Sequence, residues 1–74
     1  MLTKVLSVSD TARLDTLIGE RHCTEILIQA VGSNAIFGSN ATCAHALGSG
    51  EMLLLPLANT RDIWFGGDWV ITIW

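Results

Sequence analysis

The 74-residue sequence predicts a small all-β protein, an antiparallel β-sandwich or barrel of the jelly-roll type with about six to eight short strands. Runs of apolar, β-branched and aromatic residues recur about every 8 to 12 residues, and Gly, Asn and Ser separate them. No long stretch has the apolar period of a helix. The chain length predicts one domain, residues 1–74, near the lower size limit at which a chain folds alone.

The end of the sequence predicts a β-hairpin between Arg61 and Trp74. Two apolar runs flank residues 66–68, Gly-Gly-Asp, and glycines supply the positive φ angles that a tight turn needs. The second run alternates between two faces, with Trp69, Ile71 and Ile73 on one and Val70, Thr72 and Trp74 on the other. Because both faces are mostly apolar, we expect one to cover the protein's own core and the other to be covered by something else.

A second hairpin is predicted for residues 24–38. Residues 24–31 alternate as a strand, with Ile26, Ile28 and Ala30 on one face. The Gly-Ser-Asn sequence at 32–34 predicts a turn, and residues 35–38 predict a short return strand.

Three further segments complete the chain. Residues 1–8 predict either an edge strand or an N-terminal arm that is ordered by reaching a neighbouring subunit. Residues 9–19 fit a loop with one turn of helix as well as they fit another strand. Residues 51–57 predict a nearly all-apolar strand, and Pro56, which has no N–H, belongs at an edge or a bulge.

The composition predicts association. The chain is 50% apolar but only 15% charged, whereas soluble domains are usually about a quarter charged. A domain this small cannot bury so many apolar side chains, so we expect copies to associate or to dock on a larger surface. Trp is enriched at interfaces, although we place Trp69 in the core. The expected interface residues are Leu2, Val5, Trp64, Phe65 and Trp74.

The charge pattern argues against nucleic acid and membranes as partners. The net charge is −3, and the four basic residues, Lys4, Arg13, Arg21 and Arg61, are dispersed, so no basic stripe is available for phosphates or anionic lipid. Residues 26–50 carry no charge, but polar residues interrupt them well before the ~18 apolar residues that a membrane helix needs. The first residues lack the features of a signal peptide, so we expect no export.

Two clusters of potential metal ligands, His22-Cys23 and Cys43-Ala44-His45, have the wrong spacing for a structural zinc site. A Cys23–Cys43 disulfide is an alternative, but without export we expect reduced thiols that behave as small apolar groups. No nucleophile motif is present, and the acidic residues fall mostly at strand ends and turns. We therefore expect no metal, no cofactor and no enzymatic activity.

Three stretches carry a resemblance to a known family. They are Ile26-Leu-Ile-Gln-Ala-Val-Gly-Ser-Asn-Ala-Ile-Phe-Gly-Ser39, Leu47-Gly-Ser-Gly-Glu-Met-Leu-Leu-Leu55 and Asp62-Ile-Trp-Phe-Gly-Gly-Asp-Trp-Val-Ile-Thr-Ile73. Together they resemble small β-sandwich virion proteins of tailed bacteriophages, of the capsid decoration or cement type, over residues 24–74. The Trp-rich end and the long 9–23 segment depart from that pattern.

The resemblance implies a structural role in the virion. It implies a homo-oligomer, with a trimer favoured, that binds the major capsid protein on the outer surface of the capsid and is made in the cytoplasm of the bacterial host. In that role the chain would bridge capsid subunits and stabilise the shell. A carbohydrate- or receptor-binding module of a phage tail or head fibre is the alternative function.

Overall fold

The computed structural model describes residues 1–74. Six strands form one curled antiparallel sheet, a half-barrel, which confirms the small all-β fold class. The elements in chain order are β1 (Leu2–Arg13), α1 (Leu14–Ile18), β2 (Glu25–Ala30), β3 (Ile36–Gly38), β4 (His45–Ala46), β5 (Met52–Pro56), a 3-10 helix (Thr60–Asp62) and β6 (Trp64–Ile73).

Strand β6 is the centre of the sheet, and it is one strand rather than the predicted hairpin. Strand β1 pairs with it antiparallel along its whole length, from Leu2 opposite Ile73 to Arg13 opposite Trp64. On its other side, β3 pairs with the first part of β6 and β2 pairs with the second part. The hairpin prediction was therefore wrong, because the paired glycines bend a continuous strand instead of reversing the chain.

The glycines at 66 and 67 are required because main chain from neighbouring segments lies against them. Gly67 has φ 83°, and a Cβ atom there would overlap the carbonyl group of Asn34. A Cβ atom on Gly66 would lie 2.6 Å from the carbonyl oxygen of Asp10. Strand β1 changes register opposite this bend, between Val8 and Ala12. The Gly-Gly pair thus marks a β-bulge with close main-chain contacts rather than a turn.

The second predicted hairpin was also wrong in its pairing, although both of its strands exist. Strand β2 lies between β6 and β5, while β3 pairs with β6 and β4. After β2, the N–H of Val31 donates to the carbonyl of Asp68, and the chain then runs against Gly67. This path carries β3 onto the first part of β6, beyond the bulge, so that β2 and β3 share one partner instead of pairing together.

The structure also settles the three other segments, residues 1–8, 9–19 and 51–57. Residues 2–8 are paired with β6, as an edge strand of the same chain. Residues 9–19 contain both predicted alternatives, because β1 continues to Arg13 and the one-turn helix α1 follows and ends at Gly19. Strand β5 is an edge strand with Pro56 at its end, as predicted.

The core lies on the concave face of the sheet. The predicted alternation of β2 and β6 is confirmed, and the structure shows that the inward face is the one with Ile26, Ile28, Ala30, Trp69, Ile71 and Ile73, all of them buried. The Trp69 indole N–H donates to the carbonyl of Gly66 at 2.8 Å, and its ring meets Phe37 edge-on with centroids 5.8 Å apart. Trp69 therefore fills the core beside the bulge, as expected for a large side chain in a small domain.

A polar contact at Thr60, here called the Thr60 clamp, closes one end of the half-barrel. The Thr60 side chain is wholly buried. Its hydroxyl donates to the carbonyl of Gly19 at 2.9 Å and accepts from the N–H of Arg21 at 3.1 Å. The N–H of Thr60 in turn donates to the carbonyl of Arg21. The clamp holds the segment after α1 against the segment before β6 and satisfies main-chain groups that no strand pairs.

None of the helices has the length and apolar character that a membrane crossing requires.

Candidate interaction surface

The convex face of the sheet carries a continuous patch of side chains across four strands. In the register of the sheet, Val5, Val70, Gln29 and Met52 form one row across β1, β6, β2 and β5. Thr3, Thr72, Leu27 and Leu54 form the adjacent row. We call these two rows the outer face.

The outer face is apolar and largely uncovered. Val5 is 78% exposed, Met52 56% and Leu54 54%, and Leu27 and Val70 are half-buried. None of the residues in the two rows is charged. Charged side chains flank the rows instead, with Glu25 on β2 and Asp68 on β6. An uncharged apolar centre with polar side chains around it is the usual anatomy of a protein–protein interface.

The size of the outer face limits how strongly it can bind. Four strands about 4.8 Å apart, each contributing about five residues of about 3.3 Å, span roughly 300 Å². A stable interface between two proteins usually buries about 800 Å² on each side. One outer face therefore supports a weak contact, and a stable assembly needs more than one contact for each unit.

The predicted interface residues do not lie on one surface. Val5 belongs to the outer face, whereas Leu2 is half-buried against the core. Phe65 has no exposed area, so it is a core residue rather than an interface residue. Trp64 is half-buried and Trp74 is 43% exposed. Only Val5 and Trp74 thus present large exposed apolar area to a partner.

The tryptophans do not form a platform for sugar rings. Trp64 begins β6 and Trp74 follows its last residue, so a ten-residue strand of roughly 30 Å separates them. Trp69 is wholly buried between them. The three indole rings therefore do not lie together as one exposed platform.

Sequence reasoning did not name Leu27, Met52 or Leu54 as surface residues, whereas Val70 lies on the face of its strand opposite Trp69, which was expected in the core. A signal for two of them was present, because residues 51–57 are nearly all apolar and Pro56 placed that strand at an edge. An edge strand with apolar residues at successive positions must expose some of them, since alternate side chains point to opposite faces.

The two cysteines are free thiols in protected positions. The Cys23 thiol donates to the carbonyl of Leu57 at 3.1 Å. Burial, together with the nearby Asp62 carboxylate, raises the pKa of Cys23. Burial also raises the pKa of Cys43. A raised pKa keeps a thiol protonated and poorly nucleophilic. No three His, Cys, Asp or Glu side chains come together as metal ligands.

The surface clefts are shallow or polar. The largest, about 490 Å³, lies beside the bulge and is lined mostly by hydroxyl, amide and carboxylate groups of β1, Asn34 and Asp68. The Ser7 hydroxyl already donates to the Asp68 carboxylate at 2.9 Å. This cleft holds no cysteine or histidine. A smaller cleft of about 220 Å³ is lined by both His22 and Cys23, but the raised pKa of Cys23 keeps its thiol protonated and poorly nucleophilic. The outer face is therefore the strongest candidate for function.

Comparison of the chain with protein-family models, with curated proteins and with solved structures gives no significant match.

Proposed function

We propose that this chain is a non-enzymatic structural protein that assembles through its outer face. The observation that carries the proposal is the exposure of Val5 at one end of an uncharged patch and of Met52 and Leu54 at the other end, with the half-buried Val70 and Leu27 between them. A domain with only 15% charged residues gains stability when such a patch leaves water. The resemblance of residues 24–74 to phage virion proteins implies where the chain assembles, namely on the outer surface of a tailed-phage capsid.

In this role the outer face docks on an apolar strip of the capsid subunits and bridges neighbouring subunits. Two surfaces of roughly 300 Å² each, about three-fifths apolar, gain about 9 kcal/mol when they are buried at ~25 cal/mol per Å². Association itself costs about 4–15 kcal/mol. A single contact is therefore marginal, and the protein stabilises a shell because linked copies bind several subunits at once. The resemblance implies that three copies are linked.

The outer face is tested with lysine substitutions and a matched control. Leu54→Lys places a charge in the outer face, whereas Leu17→Lys places the same charge on α1, where Leu17 is 39% exposed. We expect the wild-type protein to show a mass above that of one chain by light scattering, rising with concentration. Leu54→Lys should lower the mass reached at high concentration, because a desolvated lysine is costly in a contact made through the outer face, while Leu17→Lys should leave that mass unchanged.

Two results would contradict the assembly role. One is a wild-type protein with the mass of one chain at every concentration. The other is an equal effect of Leu54→Lys and Leu17→Lys on the mass, with both variants folded by circular dichroism. The oligosaccharide-binding alternative is tested in parallel by tryptophan fluorescence, and we expect no change because the three indoles are buried or far apart.

The virion role has its own test. If copies decorate a capsid, purified phage particles that carry the gene should contain the chain in a fixed ratio to the major capsid protein, measured by quantitative mass spectrometry. If the particles lack the chain but the purified protein still assembles in solution, the capsid role is wrong and the assembly role remains supported.

A further inference from the structure

The free edge of β1 is a second candidate surface for association between copies. Strand β1 pairs with β6 only, so its other edge has no partner in the chain. Its pairing with β6 is regular over Leu2–Val8, and the register changes after Val8. The regular run therefore offers an unpaired strand edge, which is a template for another strand.

The hydrogen bonds of the sheet determine which residues of β1 face outward. The N–H of Trp74 donates to the carbonyl of Glu25, and the N–H of Val31 donates to the carbonyl of Asp68. The even-numbered residues of β6 therefore bond towards β2. Main-chain groups of an antiparallel strand alternate between its two neighbours, so the odd-numbered residues of β6 bond towards β1.

The partners of those odd-numbered residues point inward, and the residues between them point outward. Ile73, Ile71 and Trp69 lie opposite Leu2, Lys4 and Leu6. The N–H and C=O groups of Thr3, Val5 and Ser7 consequently face the free edge.

We propose that two copies of this chain pair antiparallel through their β1 edges, about a two-fold axis at Val5; this deepens the proposed function by naming how copies are linked. A two-fold pairing that uses all of Leu2–Val8 must be centred on its middle residue, which is Val5. Val5 is also one of the residues whose main chain faces outward, as the pairing requires. A self-complementary contact of this kind is the isologous interface of a two-fold dimer.

The side chains suit this register. Val5, which is 78% exposed, meets Val5 of the second copy, and Thr3 meets Ser7 of the second copy. Lys4 lies opposite Leu6 of the second copy, so no two like charges are directly opposite. Three such hydrogen-bonded pairs supply about six main-chain hydrogen bonds. The edge contains no Pro, and its one charged residue, Lys4, which is of a type that can oppose edge pairing, meets no like charge in this register.

The pairing changes what the protein presents to a shell. The two sheets continue into one, and two outer faces lie side by side on the same convex surface. The dimer then makes two contacts where one copy makes a marginal one, which is the condition for avidity. A dimer is a different assembly from the trimer that the resemblance implies, so the mass of the particle separates the two.

Cysteine cross-linking tests the register. In a hydrogen-bonded antiparallel pair the Cα atoms are about 5.5 Å apart, within the range that a disulfide spans. Under mild oxidation we expect Val5→Cys to form a covalent dimer in most molecules. Leu54→Cys, exposed on the outer face but far from the axis, should cross-link at least tenfold more slowly, and the wild-type protein with its protected thiols should not cross-link. Equal rates for Val5→Cys and Leu54→Cys would overturn the proposed register.

A charge at the axis tests the pairing without new covalent bonds. Val5→Lys puts two lysines opposite each other, and we expect the dimer dissociation constant to rise at least tenfold, measured by light scattering or sedimentation. Leu17→Lys on α1 and Leu54→Lys on the outer face should leave the constant unchanged; the second control separates edge pairing from contact through the outer face, to which Val5 also belongs. A trimeric wild-type protein, or a dimer whose dissociation constant is unchanged by Val5→Lys, would overturn the edge pairing. The outer-face proposal would still be tested separately by Leu54→Lys.

Discussion

Replacing Gly67 with alanine should destabilise the protein far more than replacing Gly50 with alanine, although the two glycines have similar φ angles of 83° and 85°. Gly50 is a matched control because nothing lies within 4 Å of the Cβ atom that alanine would add. Its substitution therefore measures only the cost of a left-handed backbone, about 1–2 kcal/mol for an L-residue. The Cβ atom at Gly67 additionally overlaps the main chain of Asn34.

The extra cost at Gly67 comes from main chain that cannot rotate away. Overpacking a filled site costs about 1–3 kcal/mol, so the two costs sum to about 2–5 kcal/mol for Gly67→Ala, with a midpoint of about 3–4 kcal/mol. A domain of this length has roughly 4–11 kcal/mol of stability. At about 4–8 °C for each kcal/mol, the melting temperature should fall by roughly 15–30 °C for Gly67→Ala and by roughly 5–15 °C for Gly50→Ala.

Thermal and urea unfolding followed by circular dichroism would measure both variants at one protein concentration. If residues 66–68 formed the exposed tip of a hairpin, the Gly67→Ala variant would be destabilised only by the unfavourable backbone conformation. A difference between the two variants of less than about 0.5 kcal/mol, the usual size of a surface effect, would therefore refute the close approach of Asn34 and restore the hairpin.

Two further predictions concern the interior. Thr60→Val should lower the free energy of unfolding in urea by about 1–3 kcal/mol, because it leaves the main-chain partners of the Thr60 clamp unpaired. The control Thr16→Val loses one exposed hydrogen bond and should lower it by less than about 0.5 kcal/mol. Equal losses of stability in the two variants would contradict the clamp. Because burial raises the pKa of Cys23 and Cys43, less thiolate is present at a given pH, and both should react with iodoacetamide more slowly than the exposed thiol of Leu54→Cys. Mass spectrometry should show that urea removes this difference, and comparable rates in the folded protein would contradict the protected thiols.

The local sequence pattern predicted much of the fold. The alternation of residues in β2 and β6 predicted which side chains share a face, and the separate prediction that Trp69 lies in the core is confirmed. Pro56 predicted an edge, and β5 lies at one. These inferences hold because the direction of a side chain along a strand depends only on its immediate neighbours in sequence.

The local sequence pattern did not predict which strands pair or which apolar residues lie on the surface. The Gly-Gly-Asp sequence at residues 66–68 is compatible with a turn and with a bulge, and the backbone freedom of glycine serves both. The two possibilities differ in whether Asp10 and Asn34 come close to these glycines, and neither residue is near them in sequence. Phe65 similarly has the composition of an interface residue, and only its place opposite Phe37 buries it.

The sequence by itself determined that this is a small β protein with more apolar residues than its core can hold. Only the tertiary structure decided where the surplus is exposed, because the rows that join Val5 on β1 to Met52 on β5 exist only once β6 and β2 lie between them. Composition is a sum over residues and is independent of their order. A surface depends on which distant strands become neighbours, and in this chain β6 brings β1 and β2 to its two sides.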